Sequence, residues 1–272
     1  MPTGRQSAHD RFDVTALDAE LAGSRFAGKV HYFPSISSTN THAMQQAEAG
    51  APDGSVYLAD EQTGGRGRGA HVWESPPGAG LYVSILLRPR IPPADVLWLS
   101  LAAGLAVQAA IRNVTSLEAD LRWPNDLLFG RKKFCGILTE LHAEVTRVRH
   151  AVMGIGVNVH QVQFPAELRE TATSLAIETG RNWPRQLLLA ALLQSLDYEI
   201  AALIDAGDPL QFARLMRSRM EANSSWLRGK LVRVEEGEGI TGITEGLDAR
   251  GFLLVRTADG LRTVYSGGVR EG

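Results

Sequence analysis

The chain has 272 residues, of which 44% are hydrophobic and 21% are charged. This length and composition are typical of a soluble globular protein with one sizeable core and room for a small second one. The net charge of −2 excludes a general positive field that would hold duplex DNA. The single cysteine, Cys135, excludes an internal disulfide and a thiolate zinc cluster, and it indicates a reducing compartment.

The N-terminal segment has no apolar stretch typical of a secretion signal, and no apolar run approaches the roughly 18 residues of a membrane span. We therefore expect a cytoplasmic protein with no membrane association. Residues 1–27 are predicted as a loose lead-in with one short helix over 14–21. Because this segment does not resemble a complete winged helix, no DNA binding is expected from it.

Hydroxyl and amide residues at 37–40, SSTN, are typical of a helix N-cap, and the helix that they predict ends at Gly50. Residues 56–61 and the mostly apolar segment 81–87 are predicted as strands. A glycine-rich loop over 62–70 is expected to connect these two strands.

A core helix is predicted over the apolar segment 95–112. Residues 134–141 and 148–159 are predicted as an antiparallel pair, so the sheet is expected to be mixed rather than built from regular βαβ units. Pro184 and Pro209 each open a predicted helix, because proline suits the first helical turn.

From residue 231 onward, short strands alternate with glycine-containing and acidic turns, a pattern that predicts a small all-β unit. We place the domain boundary near Ser224. The predicted organisation is a lead-in over 1–27, an α/β domain over 28–223 and a small β domain over 224–272.

The loop over 64–69, GGRGRG, combines two guanidinium groups with glycines that let backbone N–H groups approach an anion. Arg66 and Arg68 suit phosphate or carboxylate oxygens, which guanidinium groups bind through paired hydrogen bonds. The alternative is a solvated turn without a ligand. Trp73 follows the loop, and its indole either stacks on a base or plugs the core beneath the loop.

A second polar cluster follows Trp123. Asn125 and Asp126 come at the end of a predicted strand, where a metal bound to phosphates can be reached. Lys133 enters the next strand and can act as a point charge between a carboxylate and a phosphate. The alternatives are an ordinary turn at 125–126 and an exposed hairpin lysine.

Glycines alternate with β-branched residues in the predicted strand 154–158, GIGVN, so a ligand or another backbone is expected to approach its glycine face. Asn158 then lies at the ligand end, and a bulged core strand is the alternative. The sequence contains no nucleophile triad, HExxH, CxxC or dinucleotide-binding GxGxxG motif. These observations favour charge stabilisation without covalent enzyme chemistry.

In this order and spacing, the segments STN, DEQTGGRGRG, WPNDL, KKFCGIL and GIGVN resemble the signature of the biotin protein ligases. The resemblance covers residues 37–158 closely, and the C-terminal β unit is similar in size to the SH3-like domain of that family. It implies an α/β (α+β) fold, in which a mixed-sheet catalytic domain akin to the class II aminoacyl-tRNA synthetases precedes a small SH3-like β-barrel. Residues 28–223 are then the expected biotin- and ATP-binding domain.

The resemblance implies an ATP-dependent ligase that adenylates biotin to biotinyl-5′-AMP, with ATP and Mg²⁺ as cofactors and biotin as substrate. Such an enzyme passes biotin to a lysine of a biotin carboxyl carrier protein or domain of acetyl-CoA carboxylase or a related carboxylase. The pattern indicates the short form without the N-terminal DNA-binding domain, so neither DNA nor a membrane is an expected partner. A monomer and a homodimer are both compatible with the sequence.

The resemblance also implies roles for individual residues. Lys133 is expected to bridge the biotin carboxylate and the α-phosphate, and Arg68 is expected to close over the activated intermediate. The expected biotin-binding residues are Ser38, Thr39, Asn40, Gln62, Gly65, Arg66, Lys133, Gly136, Gly154 and Gly156. The expected nucleotide-binding residues are Arg66, Arg68, Trp73, Asn125, Asp126, Lys133 and Asn158, with Asp126 reaching Mg²⁺ through the phosphates.

One departure from the family pattern and two alternatives accompany this interpretation. Many bacterial relatives continue with basic residues after Arg68, but this chain has GAHV at 69–72, which puts a triphosphate contact there in doubt. A lipoate or octanoate ligase or transferase is the nearest alternative, and Gln62 with the STN hydroxyl groups argues against it. A nucleic-acid-binding module is the second, and the net charge of −2 argues against it. Residues 64–72 are the candidate lid over a product that water would destroy.

Overall fold

A computed structural model describes residues 11–204, 209–235 and 239–272. The helices in the described part of the chain are α1 (Val14–Glu20), α2 (Thr39–Glu48), α3 (Leu97–Thr115), α4 (Leu175–Thr179), α5 (Arg185–Ile204) and α6 (Pro209–Ala222). The strands of a first sheet are β1 (Val30–Phe33), β2 (Val56–Ala59), β3 (Gly80–Leu87), β4 (Asp120–Arg122), β5 (Asp126–Phe129), β6 (Lys132–Ala143) and β7 (Val148–Asn158). A second sheet contains β8 (Arg228–Glu235), β9 (Ile240–Leu247), β10 (Leu253–Thr257), β11 (Gly260–Val264) and β12 (Gly268–Glu271).

The first sheet has seven strands in the order β1-β2-β3-β7-β6-β5-β4. Strands β1 and β2 run parallel, and every other neighbouring pair is antiparallel. This confirms the predicted mixed sheet, with β6 and β7 as its long antiparallel pair. The sheet is mixed because the chain returns from β1 to β2 through helix α2, whereas shorter connections join most of the later strands.

Helices cover both faces of this sheet. On one face, α3 packs against the sheet and against α5, and its buried side chains belong to the main core. On the other face, Ala43 and Ala47 of α2 form a separate small core with Tyr57, Leu86 and Val152. Because successive side chains of a strand point to opposite faces, even-numbered residues of β3 and β7 face α2. The candidate site lies on this α2 face.

Helix α2 begins where the sequence predicts it. Ser38 is the N-cap residue, and its Oγ accepts a hydrogen bond of 3.4 Å from the backbone N–H of Thr41. The cap satisfies one of the donors that every helix leaves free at its first turn. Thr39 and Asn40 are therefore fixed in the first turn, and both are buried.

The lead-in is packed more closely than expected over the residues that the structure describes. Phe12, Leu17, Leu21 and Phe26 are all buried and belong to the main core. The predicted short helix is present as α1, capped by the side chain of Asp13. Burial of these large apolar side chains stabilises the segment against the sheet; residues 1–10 lie outside the described part of the chain.

Within the residues that the structure describes, two helical segments, Pro93–Thr115 and α5, are long and apolar enough to span a membrane by length and composition. In the first, 72% of the most apolar stretch is buried inside the protein, and in the second 50% is buried. Helices buried in a protein core have the same composition, because they are apolar all round.

The second sheet is antiparallel, in the order β11-β10-β9-β8-β12. The predicted strands LVRVEE, GITGITEG, GFLLVRT and LRTVYSGG correspond to β8 to β11. The structure adds a fifth strand, β12, which pairs with β8 at one edge of the sheet. Trp123 joins the two sheets, since its Nε1–H donates a hydrogen bond of 2.9 Å to the carbonyl oxygen of Gly251. The domain boundary near Ser224 stays a prediction.

Candidate functional site

One cavity on the α2 face collects most of the predicted site residues. It is bounded by the start of α2, the glycine-rich loop and strands β6 and β7. Twelve of the fifteen predicted residues line it: Ser38, Thr39, Asn40, Gln62, Arg66, Arg68, Trp73, Asn125, Lys133, Gly136, Gly154 and Gly156. The fold therefore brings together segments that are distant in the sequence.

One end of the cavity is polar and held by hydrogen bonds. Gln62 Oε1 accepts from the backbone N–H of Thr39 at 2.8 Å and from its hydroxyl at 3.0 Å. Gln62 Nε2–H donates to Ser75 Oγ at 3.0 Å. These bonds fix the rotamers of Gln62 and Thr39, so this end presents polar atoms in set positions to a small polar ring.

Asn40 lies in the wall of the cavity with its amide engaged by the protein. Its Oδ1 accepts from Ser84 Oγ at 2.6 Å, and its Nδ2–H₂ donates to the carbonyl oxygen of Leu138 at 3.2 Å and to Glu140 Oε2 at 2.9 Å. A Cβ on Gly154 would collide with this amide. Gly154 therefore makes room for Asn40 rather than for open space.

Lys133 reaches the cavity beside a buried carboxylate. Its Nζ lies 2.5 Å from Asp126 Oδ1, and Arg122 Nη2 donates to Asp126 Oδ2 at 2.7 Å. Burial raises the pKa of Asp126, but the charges of Lys133 and Arg122 outweigh it, so the pKa lies below its ordinary value. Asp126 does not line the cavity, and it holds Lys133 from behind.

Arg68 donates hydrogen bonds to two acceptors, one beside the first sheet and one beside the second. Its Nη1–H donates to Asn125 Oδ1 at 3.2 Å and to the carbonyl oxygen of Gly267 at 3.4 Å. Asn125 is fixed in turn, because its Nδ2–H donates to the carbonyl oxygen of Ile137 at 2.7 Å. Burial lowers the pKa of Arg68, and the nearby charge of Asp126 opposes that shift. The guanidinium group is thus partly desolvated, which strengthens its attraction for an anion.

Trp73 fills the space above the glycines of the sheet. A Cβ on Gly156 would lie 2.5 Å from Trp73 Nε1, and a Cβ on Gly136 would lie 3.1 Å from Trp73 Cζ3. Lys133 Nζ lies 5.3 Å from the centre of the Trp73 ring, within cation–π distance. Both glycines line the cavity with the indole against them, and a role in clearing space for a ligand stays a prediction.

Three predicted residues, Asp126, Gly65 and Asn158, do not line the cavity. Gly65 turns its carbonyl oxygen to the backbone N–H of Trp73 at 3.0 Å, and a Cβ there would lie 2.8 Å from Ser75 Oγ. Asn158 is buried, and its Nδ2–H donates to the carbonyl oxygen of Thr173 at 3.0 Å. Both residues support the chain around the cavity.

A wider groove adjoins the cavity and runs between the two sheets. Arg66, Arg68 and Asn125 border both spaces, and Glu140, Phe252 and Tyr265 belong to the groove. Tyr265 is 65% exposed and packs edge-on against Phe252 at 5.0 Å between ring centres. The groove opens onto the Arg68 end of the cavity.

Comparison with known proteins adds independent findings. Residues 32–158 match the model of the biotin/lipoate A/B protein ligase family, and residues 229–269 match that of the biotin protein ligase C-terminal domain. The bifunctional ligase/repressor BirA of Bacillus spizizenii is 36% identical over 245 residues, which cover 87% of this chain and 72% of that protein. This chain belongs to the biotin protein ligase family.

Two further relatives match this chain over nearly their whole length. The biotin–[acetyl-CoA-carboxylase] ligase of Mycobacterium tuberculosis is 34% identical over 276 residues, which cover 98% of each chain. The biotin protein ligase of Aquifex aeolicus, solved in complex with biotin and ATP, is 30% identical with a TM-score of 0.77. That likeness covers 90% of this chain and 100% of the other, and it confirms the predicted fold class.

Two residues that shape the site, Ser84 and Glu140, were not predicted from the sequence. Ser84 lies fully buried in β3 and donates to Asn40, and a lone hydroxyl inside the apolar run GLYVSILL was its signal. Glu140 pairs with Arg66 and accepts from Asn40. Nothing in the pattern around Glu140 distinguishes it from an exposed strand residue.

Proposed function

We propose that this protein is an ATP-dependent biotin protein ligase. It adenylates biotin to biotinyl-5′-AMP with release of pyrophosphate, and it then transfers biotin to a lysine of a biotin carboxyl carrier protein or domain of a carboxylase such as acetyl-CoA carboxylase. The observation that carries this proposal is that Lys133 and Arg68 line the same cavity as the polar end formed by Thr39 and Gln62. The family membership supports it.

The first step is substitution at the α-phosphorus of ATP. A carboxylate oxygen of biotin forms a bond to that phosphorus, and the bond to the bridging oxygen of the β-phosphate breaks, so pyrophosphate leaves. Lys133 offsets the charge of the carboxylate and of the α-phosphate oxygens, which otherwise repel each other. Its ion pair with Asp126 keeps the ammonium group in place before substrates arrive, so little reorganisation is needed.

Magnesium fits this site as an ion that ATP brings with it. Both carboxylate oxygens of Asp126 are already paired with cations, and the described residues contain no group of three or more His, Cys, Asp or Glu that would hold a metal. Asp126 would contribute to holding it only indirectly, through the phosphates. Bound with ATP, the ion would offset phosphate charge.

The second step joins biotin to the acceptor. The neutral ε-amine nitrogen of the acceptor lysine attacks the carbonyl carbon of biotinyl-5′-AMP, the bond from that carbon to the phosphate oxygen breaks so that AMP leaves, and the amine proton passes to solvent. Arg68 lies at the border between the cavity and the groove, where it can hold the phosphate of the activated intermediate. The groove is the expected route for the carrier domain, because the lysine must reach that border.

Substrate-dependent release of pyrophosphate tests the proposal. Purified protein is given ATP and Mg²⁺ with biotin, with lipoate or with octanoate, and pyrophosphate and the acyl-adenylate are measured. We expect adenylate with biotin alone, because Gln62 and Thr39 present polar groups to a ureido ring. Adenylate with lipoate or octanoate and none with biotin would favour the related ligases instead. Salt-sensitive binding of oligonucleotides without any adenylate would favour a nucleic-acid-binding module.

A further inference from the structure

Glu140 lies on β6, outside the polar end of the cavity that Thr39 and Gln62 form. It borders the groove but does not line the cavity, so it is not placed to touch biotin. Both of its carboxylate oxygens accept from Arg66 Nη2, at 3.1 and 2.9 Å. Its Oε2 also accepts from Asn40 Nδ2 at 2.9 Å. One carboxylate thus holds a loop residue and a helix residue together.

The two partners of Glu140 differ in how firmly they are held. Asn40 is 5% exposed and is fixed by Ser84 and by the carbonyl oxygen of Leu138. Arg66 belongs to the glycine-rich loop, and its side chain is 47% exposed. Because Asn40 follows Thr39 in the first turn of α2, Glu140 connects the loop to the turn that carries the polar end of the cavity.

We propose that Glu140 is a positioning residue that holds Arg66, and with it the glycine-rich loop, closed over the cavity. This inference rests on the proposed function, in which the cavity contains biotinyl-5′-AMP. A mixed anhydride is lost when the loop opens, either to water or by release from the protein. Glu140 therefore retains the intermediate until the acceptor lysine arrives, without taking part in the bond changes.

A carboxylate is needed here rather than an amide. Arg66 and Asn40 both present N–H donors to the side chain at position 140, and a carboxylate offers only acceptors. Glutamine in its place keeps one oxygen for Asn40 but turns an NH₂ group toward the guanidinium group. The change removes the negative charge and one of the two hydrogen bonds that Arg66 donates, while preserving the volume of the side chain.

The rate at which biotinyl-5′-AMP leaves the protein tests this inference. We expect Glu140→Gln to raise that rate about threefold to thirtyfold, between the values typical of an exposed ion pair and of a buried charged hydrogen bond. Glu140→Asp, which keeps the charge, should give a smaller increase. Adenylate formation in a single turnover should change less than the release rate does, because Glu140 does not line the cavity.

A double-mutant cycle with Arg66→Gln separates loop closure from a general loss of structure. If the two side chains act through each other, the double variant releases the adenylate no faster than the faster single variant. Trypsin cleavage after Arg66 in ligand-free protein should be faster in Glu140→Gln, with the unfolding midpoint unchanged. Glu144→Gln is the matched control, since Glu144 pairs with Arg147 and Arg149 away from the cavity.

Release and cleavage at wild-type rates in Glu140→Gln would overturn the inference. It would also be overturned if the increases in release rate from Glu140→Gln and Arg66→Gln multiply in the double variant, because the two side chains would then act independently. An equal effect of Glu144→Gln would overturn it as well, because any loss of negative charge would then suffice. If wild-type protein forms no biotinyl-5′-AMP at all, the proposed function fails instead, and the trypsin experiment still decides whether Glu140 holds the loop.

Discussion

At the scale of single residues, contacts within the protein fix the position of the Lys133 ammonium group before any ligand binds. Its ammonium group is paired with Asp126, and Asp126 is paired with Arg122, which lies 5.4 Å from the ring centre of Trp226. The carboxylate thus has one partner at each oxygen. Such a chain of contacts holds a cation at a fixed point, as charge stabilisation of a transition state requires.

Removing that cation should stop the first reaction. We expect Lys133→Ala to lower biotin-dependent exchange between ATP and pyrophosphate by about a hundredfold to a thousandfold, the loss typical of one charge-stabilising group. Lys132→Ala is the matched control, because that neighbouring lysine of β6 does not line the cavity. Exchange at the wild-type rate in Lys133→Ala would show that the reacting carboxyl lies elsewhere.

The sequence identified most residues of the site but not what fills the space between them. Motif order was enough to place twelve predicted residues around one cavity. It was not enough to show that Gly154 accommodates Asn40 and that Gly156 accommodates Trp73. Those contacts depend on strand register, since a shift of one residue turns every side chain to the opposite face. A local pattern does not fix that register.

At the scale of elements, β7 seats other side chains against its glycines. A Cβ at Gly156 would lie 2.5 Å from the indole of Trp73, so Gly156→Ala should lower the free energy of unfolding by about 1–3 kcal/mol through overpacking. Urea unfolding measures this change, and weaker biotin binding should accompany it.

A glycine with a yielding neighbour is the control for this prediction. In Gly268→Ala the nearest atom is Glu235 Oε2 at 2.9 Å, the end of a flexible side chain. We expect a change below about 0.5 kcal/mol there. If Gly156→Ala and Gly268→Ala lower the free energy of unfolding equally, the Trp73 indole does not restrict the size of the side chain at position 156.

The far end of the β6–β7 pair contains a pH-dependent contact. His150 is buried opposite His142, with 5.3 Å between their ring centres. Burial lowers the pKa of His150 below 6.5, and the charges of His142 and Arg88 lower it further, although Glu48 opposes them. Below pH 6.5 the unfolded chain therefore takes up a proton that the folded chain does not, and stability falls as pH falls.

Replacing this histidine should flatten the pH profile. His150→Phe keeps a ring at the position and removes the titrating group, so its free energy of unfolding should fall less than that of wild type between pH 7 and about pH 5. Urea unfolding at several pH values measures the difference. Some pH dependence should remain, because burial also lowers the pKa of His42. Parallel profiles for the two proteins would contradict the assignment.

Elements with a strong local signal were predicted well. The cap at Ser38 fixed the start of α2, and the apolar strands gave the antiparallel β6–β7 pair. Strand β12 and the packing of the lead-in were missed. A strand of four residues that begins at the second of two glycines has too little periodicity to detect, and the burial of Leu17 depends on partners distant in the chain.

At the scale of the whole molecule, the two sheets are joined by a buried hydrogen bond. Trp123→Phe removes the N–H that donates to Gly251 and leaves that carbonyl oxygen without its donor. We expect a loss of about 1–3 kcal/mol in the free energy of unfolding. Amide hydrogen exchange should show the loss in both sheets. Trp183→Phe is the control, since Trp183 Nε1–H donates to Thr179 nearby in sequence.

An equal loss of stability in Trp183→Phe would show that removing any indole N–H has this effect. Exchange that increases only near residue 123 would show that the second sheet folds independently of the first. The fold class could be predicted from the sequence, but this contact could not. It joins residues 128 positions apart, and no local pattern encodes such a distance.

Arg68 is bound by an amide oxygen from one sheet region and by the carbonyl oxygen of Gly267, 199 positions away, before the last strand of the other. The position of Arg68 therefore depends on both sheets. A recombination event that exchanged the C-terminal sheet for a relative's would have to deliver a carbonyl oxygen to the same point, or the arginine would lose part of its support. A chimaera with a relative's C-terminal sheet should therefore keep Arg68 in place only if its own backbone reaches that point.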